Sequence, residues 1–133
     1  MPDQSALKVR VYFEDTDFSG RVYHGAYVRF LERARTEWLR GLGLDHSAFA
    51  AMDPPLYFTL RKLSLSFQGA AVIDDLLTVT ATPEVITGAT ITVTQSVLRD
   101  DTVLVRASAE LCVIDGAGRP RRLPPALVDA LAA

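Results

Sequence analysis

Glu14-Asp15-Thr16-Asp17-Phe18-Ser19-Gly20-Arg21-Val22-Tyr23-His24 gathers carboxylates, hydroxyls and an imidazole in one short run. A carboxylate can take a proton from water or attack a carbonyl carbon itself. Either route needs a second group to hold the negative charge that develops on the carbonyl oxygen. A helix starting near His24 supplies one, because its first N–H groups have no intrahelical partners and carry partial positive charge. The run therefore sets an acidic turn opposite a helix start, a pairing suited to a carbonyl substrate. The same residue types also build strand ends and turns through side-chain to backbone bonds, so the acids carry a structural reading beside the chemical one. His24 has three roles open to it: a cap-region residue, a group orienting substrate or water, or an acid/base. His46 has no partner motif and reads as incidental.

Two elements must position that turn. Val9, Val11 and Phe13 alternate with Lys8, Arg10 and Tyr12, the pattern of a half-buried strand that ends near Glu14. From about His24 to Leu42, Tyr27, Phe30, Leu31, Ala34, Trp38, Leu39 and Leu42 recur at three and four residues and predict a long amphipathic helix. Arg29, Glu32, Arg33, Arg35, Glu37 and Arg40 cover much of the rest, with Arg33–Glu37 and Glu32–Arg35 spaced to pair. Gly41 and Gly43 supply the stop. Asp45 to Met52 reads as a short irregular or helical piece, closed by Asp53-Pro54-Pro55.

Everything after it alternates as strand. Leu63, Leu65 and Phe67 alternate with Lys62, Ser64 and Ser66, and Leu77, Val79 and Ala81 with Leu76, Thr78, Thr80 and Thr82. Ile91, Val93 and Val97 alternate with Thr90, Thr92, Thr94 and Ser96; Val103, Val105, Ala107, Ala109, Leu111 and Val113 alternate with Arg106, Ser108 and Glu110. Such strands form an antiparallel sheet with one wet face. Thr87-Gly88 and Asp100-Asp101 are the hairpin turns, Asp115-Gly116-Ala117-Gly118 ends the last long strand, and Pro124 to Leu131 predicts a small terminal helix. Strand, long helix, then four strands is an α+β order in which one sheet face buries one helix. A curved sheet closed around Phe30 and Trp38 is the economical solution; an open sheet with the helix on one side also satisfies the order.

Composition bounds the function. The 133 residues fit one domain, 1–133, and 49% hydrophobic with 23% charged residues is an ordinary globular profile. The net charge of -2 lacks the positive field that nucleic-acid binding uses, so no nucleic acid is expected. The single Cys112 cannot form an internal disulfide or make a zinc site alone, and reads as a buried structural thiol. Met1 to Ala6 show no basic region followed by an apolar core, and no segment offers the apolar run of a membrane span. The expectation is a cytoplasmic protein with no membrane insertion.

The run from Glu14 to His24, followed by Tyr27 and Phe30-Leu31-Glu32-Arg33-Ala34-Arg35, resembles the motif of the hotdog-fold acyl-CoA thioesterases of the 4-hydroxybenzoyl-CoA thioesterase type. It is most similar to the branch that includes the bacterial Tol-Pal-associated acyl-CoA thioesterases. Leu60-Arg61-Lys62-Leu63, Asp74-Asp75-Leu76-Leu77 and Arg119-Pro120-Arg121-Arg122-Leu123-Pro124 also sit where that family has similar segments. The resemblance implies a hotdog fold, a curved antiparallel sheet wrapped around one long central helix. It implies hydrolysis of an acyl-CoA thioester with no metal and no cofactor, coenzyme A being part of the substrate. Asp17, matching the second Asp of the family's Asp-x-Asp motif, becomes the catalytic carboxylate, acting as nucleophile or general base, while Asp15 orders the loop. The resemblance also places an oxyanion-binding backbone N–H at the helix start, here His24, with Tyr23 and Gly25 beside the substrate. Where many relatives carry a polar residue this chain has Ala26, so the helix entrance is left to backbone, water or Asp17.

Coenzyme A carries phosphates, for which Arg61, Lys62, Arg119, Arg121 and Arg122 are the cationic candidates. Phe18, Tyr23, Phe30 and Phe58 either line an acyl pocket or fill the core, the core being the default. Edge strands and an incomplete helix cover favour a homodimer, doubled to a homotetramer. Two other readings of the fold compete: a hydroxyacyl-thioester dehydratase using His24 and Asp17, and a noncatalytic acyl-CoA or lipid-binding module.

Overall fold

The structure, a computed structural model, describes residues 5–132; residues 1–4, within the segment read for a leader, and residue 133 lie outside. The elements are β1 (Ser5–Arg10), α1 (His24–Gly41), α2 (His46–Ala50), β2 (Tyr57–Phe67), β3 (Leu76–Ile86), β4 (Thr90–Arg99), β5 (Thr102–Ile114), β6 (Pro120–Arg121) and α3 (Pro125–Ala132). The sheet runs β1-β3-β4-β5-β2, antiparallel throughout, with β6 against the end of β5. Irregularities between Leu60 and Lys62, Pro83 and Val85, and Val97 and Leu98 interrupt the ladders. Bulges of this kind bend strands and increase their twist. The sheet curves around α1, the hotdog arrangement.

Helix α1 lies on the inner face over β1, β3 and β4. Tyr27, Phe30, Leu31 and Ala34 pack with Val79, Val97 and Val105; Trp38 and Leu39 pack with Ile91, Leu111 and Val113 and with Leu127 and Leu131 of α3. Full burial of side chains as large as Phe30 and Leu39 contributes about 1.5–3 kcal/mol each. The predicted helical face is thus the one that faces the sheet. The helix stops as the glycines suggest, with Gly43 at φ +75° and the Leu44 N–H returning to the Leu39 carbonyl.

Several expectations are revised. β1 ends at Arg10 rather than near Glu14, because Asp15 draws the chain into a 3-10 turn at Phe13–Asp15 by accepting from the Tyr12 N–H at 2.8 Å. β2 begins at Tyr57, not Lys62, because the irregularity after Leu60 resets the alternation. β6 is too short to leave a periodic signal. Cys112 is half-buried rather than buried.

Arg35 is not a surface residue. It is 6% exposed, and its Nη1 donates to Gln95 Oε1 at 3.0 Å, while Gln95 Nε2 donates to the Leu31 and Thr80 carbonyls. Burial pushes the Arg35 guanidinium below its ordinary value, partly offset by the Glu32 charge. Among the described residues no ion pair within 4 Å joins Glu32 to Arg35 or Arg33 to Glu37; Glu37 pairs with Arg40 instead.

Candidate active site

The acidic run folds as a tight hairpin loop. The Asp17 N–H donates to the Arg21 carbonyl at 2.9 Å and the Gly20 N–H to the Asp17 carbonyl at 3.0 Å, with Gly20 at φ +79°. This is a three-residue loop whose last position needs a left-handed residue, which glycine supplies without steric cost. A bridge from Thr16 to Val22 closes the loop on itself, and one from Arg21 to Val72 ties it to the segment before β3.

The two aspartates of the loop face different environments. Asp15 is buried: its carboxylate holds the Tyr12 N–H, its carbonyl accepts the Tyr23 N–H at 2.8 Å, and Arg29 Nη2 lies 3.6 Å away. It fastens the loop to the residue that precedes α1. Asp17 is exposed, and its Oδ1 accepts both the Ser19 N–H at 2.8 Å and the Ser19 hydroxyl at 2.6 Å. Among the described residues no protein donor reaches Oδ2. The Ser19 hydroxyl and N–H hold the Asp17 carboxyl below the usual carboxylate range against desolvation, and the Arg21 and His24 charges add smaller pushes the same way. Asp17 is a carboxylate at neutral pH.

Helix α1 starts at His24 with Tyr23 as its N-cap and no side-chain cap bond. The Ala26 N–H turns back to the Tyr23 carbonyl at 2.9 Å, so backbone holds the entrance that Ala26 cannot cap. Among the described residues the His24 and Gly25 N–H groups find no protein acceptor. The Tyr23 ring lies over Gly25, where an added Cβ would stand 2.5 Å from Tyr23 Cε1, and its centroid is 4.3 Å from that of the His24 imidazole. Asp17 opens on a groove of about 740 Å³ walled by Phe13, Glu14, Thr16, Phe18, Gly20 and Ile73. Phe18 and Tyr23 are exposed here rather than in the core, Phe30 is fully buried, and Phe58 is half-buried.

The cationic candidates stand elsewhere in the chain. Thr78, Leu98 and Val103 align across β3, β4 and β5 near the Asp17 end of the sheet, so β5 carries the chain away from it, on the order of 40 Å if fully extended. Arg119, Arg121 and Arg122 follow at the far end. Arg121 is paired with Asp115 at 3.0 Å, and the Arg122 guanidinium lies against Gly88. Arg61, on β2, lies 3.5 Å from Glu110, whereas Lys62 and Arg119 have no carboxylate within 4 Å among the described residues. A second cavity, of about 220 Å³, lies between α1 and β2 with Glu32, Arg35, Thr36, His46, Phe58 and Leu60 in its walls. Within one protomer the His24 charge reaches Asp17, the Tyr23 ring lies against His24 and Gly25, and the basic residues stand apart.

Ser19 is absent from the candidate residues that the motif supplies, although an Asp two residues before a Ser in a turn is the pattern of a side-chain to backbone bond. Among the described residues no three His, Cys, Asp or Glu side chains come together as a metal site, and no helix is long and apolar enough to cross a membrane.

A family model described as the thioesterase superfamily matches residues 19–106. An acyl-CoA thioesterase YbgC from Haemophilus influenzae is 38% identical over 120 residues, covering 90% of this chain and 88% of that one. An acyl-CoA thioester hydrolase YbgC from Escherichia coli is 36% identical over 122 residues, 90% of each chain. A crystal structure from Bartonella henselae, described as a "probable thioesterase", superposes with a TM-score of 0.89 at 38% identity, over 92% of this chain and 100% of that one.

Proposed function

The chain belongs to the thioesterase superfamily, and from that premise we propose that it hydrolyses an acyl-CoA thioester to a free carboxylic acid and coenzyme A at Asp17. The observation that carries this reading is the free Oδ2 of an ionised Asp17 that lines an apolar groove and lies within reach of the charge of His24, the first residue of a helix whose leading N–H groups are unpartnered among the described residues. The His24 N–H, with that of Gly25 next to it, is the donor set for the carbonyl oxygen. One such donor is worth about 2.7–4 kcal/mol in other enzymes.

Two routes fit the carboxylate. In one, Oδ2 takes a proton from water as the water oxygen bonds to the acyl carbon; the carbon–sulfur bond then breaks and the thiolate leaves with that proton. In the other, Oδ2 itself bonds to the acyl carbon, the thiolate leaves, and water splits the resulting anhydride. Single-turnover hydrolysis in ¹⁸O-labelled water separates them, since only the anhydride route can place label in the Asp17 carboxyl group.

The same reading includes a dimer. β2 is an open sheet edge with Tyr57, Leu60 and Phe67 exposed, and such an edge is a template for pairing with a second copy. Antiparallel pairing about a two-fold axis sets the Phe67 end of one β2 against the Tyr57 end of the other. Phe67 packs on Tyr27 near the head of α1, while Phe58 aligns with Val113 and so with Arg121. The pairing thus carries the basic cluster of one copy toward Asp17 of the partner subunit, where it can meet the phosphates of coenzyme A. A further doubling to a tetramer would leave this pairing intact.

The test is a panel of acyl-CoA substrates assayed for free thiol. Wild type is expected to release coenzyme A and Asp17→Asn to lose about 10³-fold in kcat or more. Wild-type turnover in Asp17→Asn would overturn the site. Tight coenzyme A binding without release would indicate a binding module, and enoyl product from a 3-hydroxyacyl thioester a dehydratase.

A further inference from the structure

We propose that Ser19 is a positioning residue that fixes which oxygen of Asp17 meets the substrate, an inference that rests on Asp17 being the reacting carboxylate. The Ser19 Oγ accepts from the Arg21 N–H at 3.3 Å and therefore turns its own hydrogen toward Asp17 Oδ1, 2.6 Å away. The Ser19 N–H reaches the same oxygen at 2.8 Å. A carboxylate otherwise rotates freely about its last torsion. Two donors on one oxygen stop that rotation and leave Oδ2 as the oxygen presented to the groove. The loop closure between Asp17 and Arg21 fixes the hydroxyl in turn, so the positioning chain is Arg21 backbone, Ser19 hydroxyl, Asp17 carboxylate.

The charged groups around this carboxylate are Arg21 in the loop, His24 at the start of α1 and Glu14 on the shared groove wall, while the β2–β3 connection offers the apolar Ile73. The Ser19 hydroxyl is the strongest influence holding the carboxyl down, ahead of the Ser19 N–H and of the Arg21 and His24 charges, so removing it frees the carboxylate's rotation and raises its pKa together.

The decisive variants are Ser19→Ala, which keeps the backbone bond and removes the hydroxyl, and Ser19→Thr, which restores a hydroxyl. Ser19→Ala is expected to lower kcat about tenfold, the scale of a small misplacement of a reacting group. KM stays unchanged, because the lost interaction orients rather than binds. The acid limb of the kcat/KM profile moves to higher pH, and Ser19→Thr reverses both effects. A ¹³C-carboxyl NMR titration of Asp17 in the free protein reads the same contact without substrate and should move the same way in Ser19→Ala. An unmoved titration with wild-type kcat in Ser19→Ala would overturn the inference. If Asp17→Asn is inactive while Ser19→Ala is silent, only Ser19 fails; if Asp17→Asn is active, the functional reading itself fails.

Discussion

Asp15 and Asp17 are separated by one residue and differ in burial, and the proposed function rests on that difference. Asp15 spends its carboxylate on the Tyr12 N–H and its carbonyl on the Tyr23 N–H, and so sets the angle at which the loop enters α1. Asp17 stays at the surface, ionised, with one oxygen uncommitted. This division was legible in the sequence only through family resemblance, because two acids in a turn look alike to any measure of periodicity. Ser19 was legible in principle, as a hydroxyl two residues beyond an Asp. His24 belongs at the same scale. If its contribution comes from the backbone N–H, His24→Ala keeps the donor and removes the imidazole, with its contact to the Tyr23 ring and the charge that adds a small push toward the ionised Asp17. The expected result is a kcat less than about tenfold below wild type, with the acid limb of the rate profile at higher pH. A loss as deep as that of Asp17→Asn, read in the same assay, would return the imidazole to a proton-transfer role.

At the scale of elements, α1 is the part the sequence described best and the part whose start matters most. Its spacing of three and four located the buried face, yet the same spacing also marks Arg35, which stands four residues from both Leu31 and Leu39 and was read as surface because it is charged. A charge on an apolar face has to find buried partners; here Gln95 on β4 supplies the acceptor. The early part of β2 escaped notice for a different reason, since the irregularity after Leu60 breaks the alternation by which strands are recognised. The head of α1 has no side-chain cap, which leaves its first N–H groups available but makes their surroundings depend on Tyr23 and Gly25. Gly25→Ala would drive the Tyr23 ring off the helix start, because the new Cβ meets its Cε1 at 2.5 Å. The ring is half-exposed and free to swing, and alanine favours a helix over glycine by about 1 kcal/mol. The expected variant therefore melts no lower than wild type but shows a KM raised severalfold and a lower kcat. Unchanged kinetics with unchanged melting would remove Tyr23 and Gly25 from the substrate contacts.

For the whole molecule, the question is how a carboxylate at one end of a sheet works with cations at the other. Alternation and turn residues foretold the α+β order and its strands, but not the distance between Asp17 and Arg119, Arg121 and Arg122, which depends on the direction in which β5 leaves the site. The proposed isologous dimer through β2 would resolve the separation, because a two-fold axis places opposite ends of the two sheets together. Two measurements follow. Sedimentation at micromolar concentration should give a dimer or a multiple of one, and a monomer would remove the premise. The second is complementation between Asp17→Asn and an Arg119→Ala/Arg121→Ala double variant, assayed at subsaturating acyl-CoA, where weakened phosphate binding is visible as a raised KM. Each variant alone should be poor. In a mixed dimer one site takes its aspartate from the double variant and its arginines from Asp17→Asn, and is whole, while the other site lacks both. Random exchange makes half the dimers mixed, so the mixture should regain about a quarter of the wild-type sites. No gain over the separate proteins, with exchange confirmed by differently tagged chains, would mean that the cluster does not serve Asp17 of the partner subunit.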